Sequence, residues 1–242
     1  MRLVFVRHAE PDYEKDSLTE KGWREAELLA ERTAWWRMDG IYCSPLGRAQ
    51  DTASLTLKRC GRTAQTCSWL REFDAPVDDP VTGKKRIPWD FMPSYWTDIP
   101  EMYDIGKFAE AGVLKSGPVK AEYERVCEGI DGILAEHGYI REGNCYRAES
   151  SSEETLVFFC HMGVTFFILS HLLNISPMSL IHGMFLAPSS VTVVSTEERE
   201  GKIAAFRTQM IGDTSHLYCA GEPVSQKGYF AEIMDEKIKT DR

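Results

Sequence analysis

Four short apolar runs of this sequence lead directly into side chains that can bind or attack an anion. The four junctions are Leu3 to Val6 before Arg7-His8, Ile41 to Cys43 before the segment that contains Ser44 and Arg48, Thr66 to Leu70 before Arg71-Glu72, and Leu156 to Cys160 before His161. Arginine holds anionic oxygens in a planar fork, an unprotonated imidazole can act as a nucleophile, and a carboxylic acid can donate a proton. If the runs are neighbouring strands, these side chains converge in one crevice.

The elements that must position these side chains are strands of a covered sheet, because the runs are continuously apolar rather than alternating. The helical patterns between the runs have recognisable starts: Thr19 can cap one helix, and Ser44 can cap a second helix with Pro45 at its first position. Apolar residues at spacings of three and four predict a long helix from Val119 to His137. This alternation predicts an α/β fold, and ligands of open parallel sheets bind at the carboxyl ends of the strands.

The segment at about 74–115 contains five prolines and lacks the alternation of strand and helix patterns seen elsewhere. This irregularity predicts an inserted cap over the strand ends. Its basic residues Lys84 to Arg86 are interpreted either as a solvated turn or as a second anion site. Its tryptophans and tyrosines are interpreted either as the core of the cap or as a wall of the substrate pocket.

The remaining chain is less informative. The segment at about 138–155 is rich in serine and glutamate and predicts a solvated excursion. Val191 to Ser195 and Lys202 to Phe206 predict a late hairpin at the edge of the sheet. Residues 1–242 are interpreted as a single α/β domain that carries the cap and the excursion.

Composition excludes several classes of partner. The 28 basic and 37 acidic residues give a net charge of −9, so non-specific binding to nucleic acid or to an anionic membrane is not expected.

The seven cysteines have scattered spacings, which indicates reduced thiols in a cytoplasmic protein. No secretory signal is apparent at the N-terminus. Thr155 to Thr196 has no charged residue, but His161, Gly163 and Pro177 interrupt it and favour a buried strand and helix over a membrane span.

At these residues the sequence resembles the histidine phosphatase superfamily, which includes cofactor-dependent phosphoglycerate mutases and many small phosphatases. The opening Arg-His motif stands here as Arg7-His8-Ala9, and the motif Ser-x-x-x-Arg-Ala-x-x-Thr-Ala runs intact from Ser44 to Ala53. Leu70-Arg71-Glu72 matches a Leu-x-Glu motif, and His161-Met162-Gly163 matches a late His-x-Gly motif. The resemblance implies a three-layer sandwich, with helices on both faces of a mostly parallel central sheet.

The resemblance also implies catalysis through a phosphohistidine. His8 is the expected nucleophile, Arg7 and Arg48 the expected phosphate-binding arginines, and His161 the expected partner that contacts the phosphate in protonated form. Glu72 is the expected general acid, with Asp74 as the local competitor and Glu10 or Asp12 as less favoured ones. Such a cage of positive groups can stabilise phosphoryl transfer without a metal. We therefore expect no metal and no other cofactor.

Two departures from the family pattern bear on function. Ala9 replaces the usual glycine, and Glu14 stands where the mutases have asparagine, so that a carboxylate would repel a bisphosphate. The sequence therefore predicts a metal-independent hydrolase of a small organic phosphomonoester. A phosphoglycerate mutase and a non-catalytic phospho-ligand binder stay as alternatives. The apolar insertion could serve a homodimer interface.

Other candidate residues receive structural interpretations. His171, His182 and His216 are expected to be structural, and His137 is expected on a helix face. Cys160, although it precedes His161, ends an apolar strand and is expected to be buried and unreactive.

Overall fold

The protein is described by a computed structural model over residues 1–89 and 91–229. An eight-stranded sheet forms its centre. The twelve strands of the described chain are β1 Arg2–Arg7, β2 Pro11–Asp12, β3 Ser17–Leu18, β4 Gly40–Cys43, β5 Gln65–Thr66, β6 Val77–Asp78, β7 Lys85–Arg86, β8 Tyr139–Glu142, β9 Cys145–Ala148, β10 Thr155–Cys160, β11 Val191–Arg199 and β12 Ile203–Asp213. The α-helices over the same ranges are α1 Glu20–Thr33, α2 Gly47–Cys60, α3 Pro93–Trp96, α4 Val119–Glu136, α5 Met162–Leu173, α6 Pro177–Gly183 and α7 Ser215–Ala220.

The central sheet has the order β5-β4-β10-β1-β11-β12-β9-β8. The first four of these strands pair in parallel, and each later pairing is antiparallel. Strand direction alternates from β1 onward, so β11 and β9 run antiparallel to the other six strands of this sheet. The predicted mostly parallel α/β sheet is therefore confirmed, and the carboxyl ends of β4, β10 and β1 lie side by side.

Helices cover both faces of the sheet, as the predicted three-layer sandwich requires. Alternate residues of β1 divide between two cores: Leu3 and Phe5 join the cluster packed under α4 and α5, and Val4 and Val6 join the cluster under α1 and α2. This two-sided burial explains why the strand reads as an uninterrupted apolar run. Helix α5 is buried almost all round, and across the two described ranges no helix is long and apolar enough to span a bilayer.

Thr19 caps α1 as predicted, since its side chain accepts from Gly22 N. The predicted cap of α2 is wrong. This helix begins at Gly47, and its N-cap is Leu46, whose own side chain forms no capping hydrogen bond. Ser44 instead turns its hydroxyl toward His161, with Ser44 Oγ and His161 Nε2 2.7 Å apart.

The predicted strand Thr66 to Leu70 is mostly a helical turn. Gln65–Thr66 pairs with β4, and Ser68–Leu70 forms a 3₁₀ turn. Cys67 and Leu70 are three residues apart and both enter the same core. A turn of three residues places both on one side, whereas a strand would place them on opposite faces.

The stretch 138–155 differs from the predicted solvated excursion. It forms the hairpin of β8 and β9, which extends the sheet and buries Tyr139, Tyr146 and Ala148. The late hairpin of β11 and β12 is therefore not at the edge of the sheet, because β9 pairs with β12 and β8 lies beyond it. The apolar alternation in β8 and β9 is short, and the nearby serines and glutamates mask it.

The segment 74–115 carries little regular structure, as its prolines indicate. It contains the pair β6 and β7, the short α3, and 3₁₀ turns at Pro100–Tyr103, Phe108–Glu110 and Gly112–Ser116. Its side chains Trp89, Phe91, Met102 and Phe108 are buried in the core on the α4 and α5 side.

Candidate active site

The site begins where the neighbouring strands β1 and β10 end. Arg7 pairs in register with Cys160, so the next residue of each strand is a histidine at the same level of the sheet. His8 N donates to Cys160 O at 2.9 Å, and the imidazole centroids of His8 and His161 are 5.1 Å apart. The parallel register therefore brings together two residues that are far apart in sequence.

His8 has the hydrogen bonding that a nucleophilic imidazole requires. Its Nδ1 lies 2.8 Å from Ala9 O, which can only accept, so this nitrogen carries the ring proton. Burial, and then the charge of Arg7, lowers the pKa of His8 well below its ordinary value. The ring is consequently neutral near pH 7, and Nε2 keeps its lone pair.

Arg7 is buried beside His8 and held by main-chain oxygens. Its Nη1 donates to Leu186 O, and its Nη2 donates to Lys227 O at 3.3 Å. Its Cζ lies 5.5 Å from the centroid of the Phe185 ring. Its Nε is buried and finds no hydrogen-bond partner within the described ranges.

Arg48 is placed by the first turn of α2 and oriented by Asp16. Asp16 Oδ1 accepts from Arg48 Nη1 at 2.6 Å, and Asp16 Oδ2 accepts from Gly47 N at 2.7 Å. A Cβ on Gly47 would lie 2.0 Å from Asp16 O, so glycine is needed for this close approach. Arg48 Nε is also buried without a partner in the described part of the chain.

His161 lies at the N-terminus of α5 and is fully buried. Ser44 Oγ accepts from Leu46 N, which leaves its hydroxyl proton free to go to His161 Nε2. This arrangement favours a ring proton on Nδ1, a buried atom with no partner among the residues described. Burial and the positive groups around His161 lower its pKa well below the ordinary value, so the ring is neutral in the protein alone. The expected protonated form therefore requires the negative charge of a bound anion.

Glu72 reaches the same region through backbone donors at the start of α5. Its Oε1 accepts from Phe73 N and Val164 N, both at 2.8 Å, and its Oε2 accepts from Gly163 N at 3.2 Å. Oε2 has the single, longer contact. Arg71 points away, since it forms two 2.8 Å hydrogen bonds with the carboxylate of Glu122.

The structure does not bring the competing carboxylates into the same arrangement. Asp74 is exposed. Glu10 accepts from Thr19 and Ser225, and Asp12 pairs with Lys15. Glu72 is thus the carboxylate among these that lies against the helix bearing the second histidine.

Two residues near the site were not singled out from the sequence. The ring of Tyr13 lies 5.5 Å from Arg48 Cζ. Burial lowers the pKa of Arg7, and the Tyr13 phenol opposes that shift. Asp16 orients Arg48 as described above. Both lie in the segment after Arg7-His8 that departs from the mutase pattern. That departure is the feature of the sequence that could have pointed to them.

The remaining histidines have structural contacts. His171 Nε2 lies 2.9 Å from the Asp131 carboxylate, His182 stacks on Trp96, and His216 contacts Ser189. Cys160 is buried, and burial raises the pKa of its thiol to about 12. No group of three histidine, cysteine or acidic side chains within residues 1–89 and 91–229 is arranged to hold a metal ion.

Sequence comparison shows that the N-terminal third of the chain is similar to a known group. Residues 3–86 match the model of the histidine phosphatase superfamily (branch 1). The probable phosphoglycerate mutase GpmB of Yersinia pestis is 36% identical over 86 residues, which cover 32% of this chain and 40% of that protein. The matched part is thus less than half the length of these curated relatives. The resemblance to the superfamily that the motifs indicate is confirmed.

Structural comparison extends the similarity to most of the chain. A mycobacterial glucosyl-3-phosphoglycerate phosphatase superposes with a TM-score of 0.59 at 19% identity, covering 87% of this chain and 98% of that one. A phosphoserine phosphatase mutant from Entamoeba histolytica superposes with a TM-score of 0.57 at 18% identity, covering 89% and 98%. At these identities the similarity establishes a shared fold.

Proposed function

We propose that this chain, which shares its N-terminal motifs and its fold with the histidine phosphatase superfamily, is a metal-independent phosphomonoesterase that acts through a phosphohistidine on His8. One observation carries the proposal. Arg7 Nε, Arg48 Nε and His161 Nδ1 are all buried without a hydrogen-bond partner among the described residues. A buried unpaired donor costs about 1–3 kcal/mol, and the oxygens of a phosphoryl group would satisfy all three.

In the first half of the reaction, the lone pair of His8 Nε2 attacks phosphorus. The bond between phosphorus and the leaving oxygen breaks, and the Glu72 carboxyl donates its proton to that oxygen. The products are an alcohol, a phosphoimidazole and an ionised Glu72. Arg7, Arg48 and protonated His161 neutralise the charge on the phosphoryl oxygens, which is the main requirement of phosphoryl transfer.

In the second half, water attacks the phosphoimidazole. Glu72 takes a proton from that water, the bond between nitrogen and phosphorus breaks, and the electron pair returns to His8 Nε2. Inorganic phosphate leaves, and His8 and Glu72 are restored to their starting protonation. The hydrogen bond from His8 Nδ1 to Ala9 O holds the ring in one tautomer throughout.

Metal independence is proposed because two guanidinium groups and an imidazole supply the charge that a metal would otherwise supply. We also propose a small organic phosphate as the substrate, a homodimer through the apolar insertion, and a cytoplasmic location.

The test is hydrolysis of p-nitrophenyl phosphate in excess EDTA by the full chain. We expect turnover in EDTA, an acid-labile phosphoenzyme after a brief acid quench, and loss of nearly all turnover in His8→Ala. If His8→Ala stays active, the nucleophile is another group. If the protein binds vanadate but neither turns over nor forms a phosphoenzyme, it is a binding protein and the proposal fails.

A mutase is the second candidate, because the relative that matches residues near the N-terminus is a probable phosphoglycerate mutase. Glu14, which stands at the position of the mutase asparagine, is exposed. Interconversion of 3- and 2-phosphoglycerate that depends on a bisphosphate primer, at a rate above hydrolysis, would favour the mutase.

A further inference from the structure

The main chain of the proposed nucleophile is held from two sides. His8 N donates to Cys160 O at 2.9 Å, and His8 O accepts from Ser189 N at 3.0 Å. The first contact is part of the sheet, since Cys160 ends β10. The second comes from the turn that precedes β11, so the position of His8 depends on how that turn is fixed.

Ser189 has a backbone conformation that needs support. Its φ is +59°, in the left-handed region that L-residues other than glycine, asparagine and aspartate rarely adopt. The residue is fully buried. A strained conformation of this kind persists only where the surrounding structure enforces it.

His216, in α7, supplies that support. Its Nε2 lies 3.0 Å from Ser189 Oγ. On the other side of the ring, Arg32 Nη1 lies 3.4 Å from His216 Nδ1. A guanidinium can only donate, so Nδ1 accepts, the ring proton is on Nε2, and His216 donates to the Ser189 hydroxyl.

The outer end of this chain of contacts is also fixed. Asp213 Oδ2 lies 2.5 Å from Arg32 Nη1 and holds the guanidinium against the imidazole. Burial, followed by the charge of Arg32, lowers the pKa of His216 to about 4. The ring therefore keeps one proton at physiological pH, and its single donor is directed to Ser189.

We propose that Ser189 and His216 are positioning residues for His8: the hydrogen bond from His216 to the Ser189 hydroxyl locks the turn whose amide holds the His8 carbonyl. This inference rests on the proposed function, because His8 is positioned for attack on phosphorus. It assigns to His216 a role beyond that of an ordinary buried histidine. A displacement of a reacting group by about 1 Å can cost a factor of roughly 100 in rate, so the loss should fall on kcat.

The test uses four single variants of the full chain, each checked by circular dichroism and thermal unfolding. Ser189→Ala removes the acceptor without changing the Cβ strain, and His216→Leu removes the donor at similar volume. His216→Gln keeps an N–H donor at a comparable distance from the backbone. Ser190→Ala is the matched control, because the Ser190 hydroxyl is equally buried but has no hydrogen-bond partner within the described ranges.

With p-nitrophenyl phosphate, we expect kcat and the rate of phosphoenzyme formation to fall about 10- to 100-fold in Ser189→Ala and His216→Leu. KM should change less, His216→Gln should recover most of the loss, and Ser190→Ala should match the parent. The double variant should be no slower than the slower single variant, since both changes break one contact. Additive losses, no recovery with glutamine, or a folded Ser189→Ala with parental kcat would overturn the inference.

A second measurement separates this inference from the proposed function. The imidazole resonances of His8, assigned with His8→Ala, should shift in Ser189→Ala and not in Ser190→Ala. If the parent protein proves inactive but the His8 resonances shift in this pattern, the proposed function fails and the positioning contact stands. If the parent hydrolyses substrate and the resonances do not shift, the positioning inference fails alone.

Discussion

At the scale of single residues, His8 combines two features that its proposed role as a nucleophile requires. Burial between positive groups disfavours the imidazolium, and the Ala9 carbonyl accepts a hydrogen bond from Nδ1, which keeps the one ring proton there. Both effects act on the same ring and leave Nε2 unprotonated. Neither effect requires a carboxylate partner, which would instead stabilise the imidazolium.

The first prediction concerns this tautomer. We expect His8 to stay neutral, with its proton on Nδ1, as the pH is lowered from 8 through 6.5, because its folded-state pKa lies well below the ordinary value. The imidazole ¹⁵N and ¹³C shifts of the labelled protein, assigned by comparison with His8→Ala, report both charge and tautomer. A midpoint near 6.5, or a proton on Nε2 at pH 8, would contradict the proposed role.

The sequence motifs predicted which residues meet at the site better than they predicted what orients those residues. Arg7, His8, Arg48 and His161 follow strands or begin a helix, so fold class alone brings them together. Asp16 and Ser189 could not be found in this way. Each acts through a loop conformation with positive φ, and no strand or helix period encodes such a contact.

At the scale of elements, the start of α5 serves two purposes. Its first residues follow the second histidine of the site, and its free N–H groups hold the Glu72 carboxylate. The close approach depends on Gly163, where a Cβ would lie 2.6 Å from Glu72 Oε1 and 3.0 Å from the Trp89 ring. Trp89 belongs to the segment 74–115, so part of that segment lies beside the start of α5.

The second prediction follows from this contact. In Gly163→Ala, the atom nearest the new methyl group is the end of a flexible side chain, so the Glu72 carboxylate should move while the helix persists. We expect kcat for p-nitrophenyl phosphate to fall about tenfold or more, which is part of the roughly 100- to 10,000-fold that a well-placed general acid contributes. Because p-nitrophenol is a good leaving group, an alkyl phosphate with a poorer one should lose more.

Gly132→Ala is the control for that variant. Gly132 is also a helix glycine, in α4, but nothing lies within 4 Å of its Cβ position. Alanine there should keep full activity and stabilise the fold by up to about 1 kcal/mol. Equal losses of activity in both variants would mean that Gly163 matters to the helix and not to Glu72.

Element prediction was most accurate where burial is complete and least accurate at the edges of the sheet. Strands β1 and β10 are uninterrupted apolar runs and α4 has a long apolar periodicity. The structure has all three close to the predicted positions. The short strands β5, β8 and β9 lie at the margins, where few residues are buried. Tertiary pairing therefore decides their conformation more than local sequence does.

At the scale of the whole molecule, the fold keeps several histidines neutral, both inside the candidate site and outside it. Burial lowers the pKa of His8, His161, His182 and His216. The pKa shift of Glu25 is in the opposite direction, because burial raises its pKa to about 7. These groups couple folding to pH, and the histidines outnumber the glutamate.

The third prediction is that the free energy of unfolding falls as the pH is lowered from 7 to 5. In this window the unfolded chain protonates its histidines below about 6.5, while the lowered pKa values of these four rings delay their protonation in the folded state, so unfolding takes up protons. Each such proton lowers the free energy of unfolding by up to about 1.4 kcal/mol per pH unit. Glu25 acts in the opposite direction, because it becomes protonated at a higher pH in the folded state than in the unfolded state. It therefore offsets the proton taken up by about one histidine.

Urea unfolding of the full chain at pH 7, 6 and 5 measures this slope. His182→Phe is the informative variant, because the phenyl ring can keep the stacking on Trp96 and Phe91 while one titrating ring is lost. We expect its slope between pH 6.5 and 5 to be shallower than that of the parent by up to about one proton, because the pKa of His182 is lowered in the folded state. If the stability of the parent protein is flat or rises toward pH 5, the interior histidines are charged. His8 would then carry a positive charge beside other positive groups, which contradicts its proposed role as the nucleophile.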